Sequence, residues 1–273
     1  MFDIITKEEY WRWIEEGVAR PLQPPAIHRR GPEYGSPWIS AGLARVRSRI
    51  GPILRSPRPY ELKDVQDAFV LSRLRQARGA TILEVGGGNS RILPVLSSSN
   101  ECWTVDRFEG KGRGPTRVPR IPRVKVVQAY MGDGSPELEA GYFDFVVSVS
   151  VVEHVPLDSI SAFFGDCARV LKPGGRMIHA IDTYLFDASD RSVAHVFQER
   201  IQAYLSFAQR PDLHIRLVEE PGVDPDLRFS CRYATVPDNV LHEWNLRRPS
   251  AKRVLGQVVS IKAEWLKTSQ GSQ

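Results

Sequence analysis

Five short runs rich in β-branched and aromatic residues recur along the middle of this chain, and their spacing decides its fold. They are Thr81–Val85 (TILEV), Glu101–Val105 (ECWTV), Val124–Val127 (VKVV), Phe143–Val149 (FDFVVSV) and 176–181 (RMIHAI). Runs of this length and composition read as strands. Leu62, Val65, Phe69 and Leu74 stand near helical spacing and predict a helix over 61–76. Two gaps between strands carry further helices, over 91–96 and 157–171, the second closing at Lys172-Pro173-Gly174-Gly175. Short strands alternating with helices build a parallel sheet with right-handed crossovers. The expected fold class is therefore α/β, with a mostly parallel sheet.

The flanks differ from this core. From Arg20 to Pro59 the chain holds eight prolines and eight arginines against one acid, Glu33. Proline at that density removes backbone donors and fixes φ, which disfavours long helices and central strands. Residues 1–60 thus read as an irregular arm with one short helix over 7–17, packed on a core of 61–190. Residues 191–273 are expected to complete the sheet and cover the site, with a helix over 192–209. Near the end Val259, Ile261, Ala263 and Trp265 alternate with Ser260, Lys262 and Glu264. Such alternation predicts a strand with one wet face at an antiparallel edge, with 228–235 as its neighbour.

At 273 residues, 42% hydrophobic and 25% charged, the chain suits one globular domain with decoration and excludes fibrous or wholly disordered classes. Its three cysteines form no CxxC pair, which argues against a disulfide framework or a structural zinc. The most apolar stretch, 143–152, is broken by Asp144, Ser148 and Ser150, so no membrane span is expected. The first residues lack the apolar core of a secretory signal, and a cytoplasmic location follows as the expectation.

Open parallel sheets bind ligands beyond the carboxyl ends of their strands, where the strand order reverses. Here the first strand runs into Glu84-Val85-Gly86-Gly87-Gly88-Asn89-Ser90. Consecutive glycines allow close backbone approach, and the next helix N-terminus offers free N–H groups. Asp106 ends the second strand, 22 residues after Glu84, where an acid can take ribose hydroxyls. Asp133-Gly134 follows the third strand, and the fourth leads into Ser148-Val149-Ser150-Val151-Val152-Glu153-His154-Val155-Pro156.

Taken together, in this order and spacing, these segments resemble the class I S-adenosylmethionine-dependent methyltransferases, in particular the type 11-like small-molecule group, over roughly residues 61–185. The resemblance implies a Rossmann-like, doubly wound sheet of seven strands with an antiparallel edge strand, and S-adenosylmethionine as cofactor. It places Glu84 and the Gly86, Gly87 and Gly88 backbone at its methionine end and Asp106 at the ribose. Arg107 or Phe108 would lie beside the adenine, with Asp133 and the Gly134 N–H on its edge. Ser148 to Ser150 would line the sulfonium. Ser90 replaces the family's third glycine. A nicotinamide-dependent dehydrogenase would need glycine where Arg91 stands. It would also set Glu84 against two phosphates, whereas a carboxylate suits an amino-acid zwitterion.

Methyl transfer to a hydroxyl calls for a general base. The candidates are His154 after the fourth strand, and His179 and Asp182 at the end of the fifth. The last two lie in a stretch with a local similarity to the H-x-I-D ending of some polysaccharide-cluster methyltransferases. Tyr184 and Phe186 are candidate walls of an acceptor pocket, and His242, Trp244 and Asn245 form a further polar-aromatic group. With Ser150 in the place of an acid, only Glu153 and His154 remain there, so no metal is expected. The chain has SVSVVEHV where amino-methylating DNA enzymes carry [DN]PP[YF], and no cysteine follows a proline. The expected activity is methyl transfer to a small molecule or glycan, with oxygen favoured. Seven basic residues between Arg107 and Lys125, against Glu109, would suit a phosphate-bearing acceptor. RNA methylation and a non-catalytic, cofactor-binding partner subunit are the alternatives. Nucleic acid is disfavoured, because the basic residues lack aromatic interleaving.

Overall fold

The computed structural model describes residues 1–18, 62–88, 90–110, 114–186, 193–207, 210–230, 232–233 and 256–269. In chain order these form β1 (Phe2–Ile4), α1 (Lys7–Glu15), α2 (Leu62–Leu74), β2 (Thr81–Val85), α3 (Leu93–Leu96), β3 (Glu101–Val105) and β4 (Val124–Val127). Then come β5 (Phe143–Val149), a 3-10 turn (Val152–His154), α4 (Ile160–Val170), β6 (Leu171–Phe186), α5 (Ala194–Phe207), a second 3-10 turn (Pro211–Leu213), β7 (Ile215–Leu217) and β8 (Gly256–Lys267). The arm over 19–61, the HEWN group and the last four residues, 270–273, lie outside the described residues.

All strands join one eight-stranded sheet in the order β1-β8-β6-β5-β2-β3-β4, with β7 also on β8. Pairing is parallel from β4 through β6 and antiparallel at β8. The fold is thus the Rossmann-like, mostly parallel sheet with an antiparallel side. It has eight strands rather than seven because the short β1 and β7 pair along the outer edge of β8. The chain winds from β2 outward to β4 and then returns to the other side of β2 with β5. This reversal puts the crevice between the carboxyl ends of β2 and β5.

Each face of the sheet buries its own core. On one face α4 and α5 bring Phe163, Phe164, Tyr204 and Phe207 against Trp265, with Phe164 and Phe207 stacked at 4.5 Å. On the other, α1, α2 and α3 bring Tyr10, Trp13, Phe69, Leu74 and Leu93 against Ile82, Val147, Ile178 and Ala180. Burial of each such large side chain contributes about 1.5–3 kcal/mol.

Two expectations about the flanks change. The first eighteen residues do not open an arm. Phe2 and Ile4 are fully buried in β1, and α1 starts at a capping box in which Thr6 and Glu9 bond each other's backbone N–H. Nor does β8 have a wet face. Its polar residues lie under α1 and α2, and each finds a partner there or on β6. Lys262 pairs with Glu9, Glu264 with Arg176 at 2.7 Å and Arg73 at 3.3 Å, and the Gln66 amide donates to Ser260 at 3.1 Å. The neighbours of β8 are β6, β1 and β7. Arg228 and Tyr233 instead form isolated bridges to Phe186 and Thr6.

Candidate functional site

The crevice is built around the turn after β2. Gly86 takes φ +75°, and a Cβ there would strike Val151 beyond β5, so glycine permits the close approach of the two strand ends. Parallel register sets Glu84 beside Thr104. Both side chains are buried, yet the Glu84 Oε2 and Thr104 Oγ1 have no hydrogen-bond partner. Buried polar atoms are almost always satisfied, so two orphans side by side call for a ligand. Gly87 lies directly over them: a Cβ on it would stand 2.5 Å from the Glu84 Oε2 and 2.7 Å from the Thr104 Oγ1. The missing side chain leaves a cradle with an acid and a hydroxyl at its floor. Burial raises the Glu84 carboxyl to about 7, against the opposing hydrogen bond from Ser90. An ammonium group entering the cradle would restore the carboxylate.

Neighbouring charges are anchored. Arg91 forks onto Asp67 of α2, with Nη2 donating to Oδ1 at 2.8 Å. The glycine turn leads into a helix of only four residues, whose first N–H, from Leu93, is accepted by the Ser90 hydroxyl at 2.9 Å. A helix that short has little dipole, so its N-terminus makes at most a weak anion site.

Asp106 is half-buried, and burial raises its carboxyl. Its Oδ1 accepts from the Phe108 N–H at 2.6 Å, which holds Phe108 in the left-handed region at φ +58° and buries its ring. Arg107 is exposed and tied to Glu109 at 3.1 Å, while Tyr130 donates to Glu109 at 2.8 Å. The basic segment after Asp106 folds back over the glycine turn, where the Pro115 ring meets Gly88. Lys125 lies at the opposite edge of the sheet, paired with Glu101 at 2.8 Å, and does not join the site.

Other expected site residues part company here. Asp133 is exposed, but the Gly134 N–H faces the Asp166 Oδ2 at 3.4 Å, beside the Gly132 N–H at 2.8 Å to the same oxygen. The Gly134 N–H is therefore turned toward α4. Ser148 is fully buried, its hydroxyl 2.8 Å from the His179 Nδ1 on the α4 face. His179 is sealed among Phe163, Phe164 and Trp265, and burial alone drives its imidazole down to about 3. Because β6 runs on to Phe186, His179 lies in mid-strand rather than at an edge. Asp182, three residues on, points to the opposite face.

There Asp182 meets α2 and the end of β5. Its Oδ1 accepts from the Gln66 amide and from the Ser150 hydroxyl, the latter at 2.7 Å. Ser150 leaves the strand at φ +51°, a left-handed conformation that strains a non-glycine residue. His154 is half-exposed on the following turn, 4.0 Å from Glu153. Tyr184 packs on Phe197 at 5.0 Å, and Phe186 is fully buried in the core. Among the described residues no group of three or more metal-ligating side chains occurs, and no helix is long and apolar enough to cross a membrane. Sequence reading missed Thr104 and Gln66, and weighed Glu153 only as a metal ligand. Only Thr104 carried a usable signal, since the equal lengths of the first two strands already set it beside Glu84.

The sheet order and the switch-point crevice define a Rossmann-like domain. Residues 83–179 match the family model for a methyltransferase domain. Among curated proteins, chondramide synthase from Chondromyces crocatus is 26% identical over 162 residues, 56% of this chain. The match spans 4% of that relative's length. Among solved structures, geranyl diphosphate C-methyltransferase from Streptomyces coelicolor superposes with a TM-score of 0.47 at 16% identity, over 74% of this chain and 75% of that one. Phosphoethanolamine N-methyltransferase 2 from Haemonchus contortus gives 0.46 at 15%, over 74% of this chain and 52% of the other.

Proposed function

We propose that the protein transfers a methyl group from S-adenosylmethionine to a hydroxyl of a small-molecule or glycan acceptor. The observation that carries the reading is the pair of orphaned buried oxygens, on Glu84 and Thr104, beneath the open place over Gly87. That donor set suits the ammonium of an amino-acid zwitterion, and Asp106, one strand along, suits the ribose diol. Asp133, exposed beyond β4, is the candidate for the adenine edge. When bound, the cofactor supplies an electrophilic methyl on a sulfonium already activated by its charge.

The chain's own work is positioning and proton management. Val151 and Ser150, at the end of β5, flank the crevice on the acceptor side. Holding an acceptor oxygen in line can provide much of the acceleration, provided water is kept out. The α2 helix, bonded through Gln66 to Asp182 and Ser260, closes that side. The general base passes from His179, buried on the wrong face, to Asp182. Exposed Arg117, Arg120 and Arg123 on the segment after Asp106 suit an acceptor bearing phosphate.

Incubation with methyl-labelled S-adenosylmethionine and a panel of phenols, saccharides, sugar phosphates, amines and RNA tests the reading. Label in an O-methyl product is expected, strongest with a phosphate-bearing acceptor. Label confined to amines or RNA would overturn the acceptor assignment.

A further inference from the structure

Where β5 ends, four polar side chains close a hydrogen-bond network that is one hydrogen short. The Gln66 amide nitrogen donates to the Asp182 Oδ1 and, at 3.1 Å, to the Ser260 hydroxyl. The Ser150 hydroxyl lies 2.7 Å from the same Asp182 oxygen and 2.8 Å from the Gln66 Oε1. Turning the amide over would set its oxygen against the carboxylate, so its orientation is fixed. These four contacts need four hydrogens. The amide supplies two and Ser150 one, while the Ser260 hydrogen is directed at the Ile181 carbonyl, 3.4 Å away. With Asp182 ionised, the single Ser150 hydrogen can serve only one of its two neighbours, and the other faces a lone pair. Gln66 is fully buried, so water does not make up the difference. The backbone also singles out Ser150. It stands at φ +51°, where glycine would sit without strain, and the next residue, Val151, closes on Gly86 in the crevice. A hydroxyl kept at such a position serves more than the turn.

We propose that Ser150 relays the proton of a hydroxyl acceptor to Asp182, with Gln66 as the positioning residue that takes up the rotated Ser150 hydroxyl. This rests on the function proposed above: Asp182 stays the base, and Ser150 becomes the group that touches the acceptor. A proton added to the Asp182 Oδ1 is the missing hydrogen. The Oδ1 then donates to the Ser150 Oγ, the Ser150 hydroxyl turns to the Gln66 Oε1, and the Gln66 amide keeps both of its bonds. All four contacts then carry a hydrogen, so the network is complete only after the proton has arrived.

In the reaction the acceptor hydroxyl donates to a lone pair of the Ser150 Oγ while Ser150 donates to Asp182. The acceptor oxygen forms a bond to the methyl carbon as the carbon–sulfur bond breaks, its electrons passing to sulfur. The acceptor proton moves to the Ser150 Oγ, and the Ser150 proton to the Asp182 Oδ1. One negative charge, on the carboxylate, and one positive charge, on sulfur, disappear together. Ser150 is neutral before and after. Release of the proton from the half-buried Asp182 to solvent resets the relay.

Ser150→Gly in the full-length protein removes the relay but favours the left-handed backbone, so it separates proton transfer from scaffolding. The hydroxyl probe is whichever of catechol, glucose and glucose 6-phosphate the wild type labels fastest. Ser150→Gly should cut its kcat about 100-fold or more, as loss of general-base assistance does, with KM within about threefold. Single-turnover rates in heavy water give a second readout: the wild type should slow and the variant should not. Thiophenol, which reacts as its thiolate and has no proton to hand over, should show a deficit at least about tenfold smaller. Gln66→Leu should lose about tenfold on the hydroxyl probe, the value of one hydrogen bond, again with less effect on thiophenol. Should Ser150→Gly fail to fold, Ser150→Asn takes its place, because asparagine also tolerates this backbone. Equal losses on both kinds of acceptor, a hydroxyl rate near that of the wild type, or a wild type indifferent to heavy water would overturn the relay and leave the proposed function standing. A wild type that binds S-adenosylmethionine in calorimetry yet labels none of the three hydroxyl compounds would overturn the proposed function, and the relay with it.

Discussion

Glu84→Gln should make the empty protein more stable above neutral pH while abolishing its affinity for S-adenosylmethionine. The Glu84 carboxyl is pushed up from 4.5 to about 7 because it is buried with one oxygen unpartnered. In the unfolded chain it ionises at its ordinary value. Between pH 4.5 and 7 the native state therefore binds more protons than the unfolded one, and stability falls as pH rises through that window. A displacement of about 2.5 pH units at about 1.36 kcal/mol each amounts to ~3 kcal/mol, fully expressed above about pH 7 and absent below about 4.5. Glutamine removes this dependence. Urea melts of both proteins at about pH 4.5, 6 and 8 should show the stability difference growing in favour of the variant by about that amount, since all other titrating groups cancel. Adding S-adenosylmethionine at about a hundred times its Kd at pH 8 should return ~2.7 kcal/mol to the wild type and nothing to the variant. A stability difference that stays flat with pH would refute the reasoning.

Three further outcomes follow from the same geometry. Gly87→Ala would put a methyl 2.5 Å from the Glu84 Oε2, so cofactor affinity should fall at least about 100-fold with the fold retained; near-normal calorimetric binding would refute the cradle. Asp106→Ala should weaken cofactor binding by about one to two orders of magnitude, as for loss of charge-assisted hydrogen bonds of about 1.5–3 kcal/mol, and unchanged affinity would remove it from the ribose. His179→Phe should leave turnover unchanged. Because the imidazole titrates near 3 when folded and at 6.5 when unfolded, the wild type loses stability as pH falls through that interval. The variant should therefore show a shallower acid limb in thermal melts, and a tenfold loss of turnover would restore His179 to the chemistry.

The parallel core was legible because its strands are β-rich runs punctuated by glycine, proline and acids. TILEV, ECWTV, VKVV and FDFVVSV became strands with the bounds their composition marks. β1 was not legible: three residues, Phe2–Ile4, carry no pattern, and their place is decided by the free edge of β8, at the far end of the sequence. Likewise the alternation in β8 correctly reports two unlike faces. Whether the polar one meets water depends on α1 and α2, whose residues Glu9, Gln66 and Arg73 satisfy it. The site divides in the same way. Glu84, Gly87 and Asp106 stand at strand ends, where position follows from sequence. His179 and Asp182 were grouped by proximity in the chain, although an odd separation of three along a strand puts them on opposite faces. Glu153 shows its character only once burial is known.

The central claim is that the crevice between β2 and β5 holds S-adenosylmethionine, and parallel calorimetric titrations with S-adenosylmethionine, S-adenosylhomocysteine and NAD test it most directly. The account predicts micromolar binding of both sulfur nucleotides, tightening as pH rises toward about 7 with ionisation of Glu84, and no heat from NAD. Binding of NAD, or silence from all three, would contradict it.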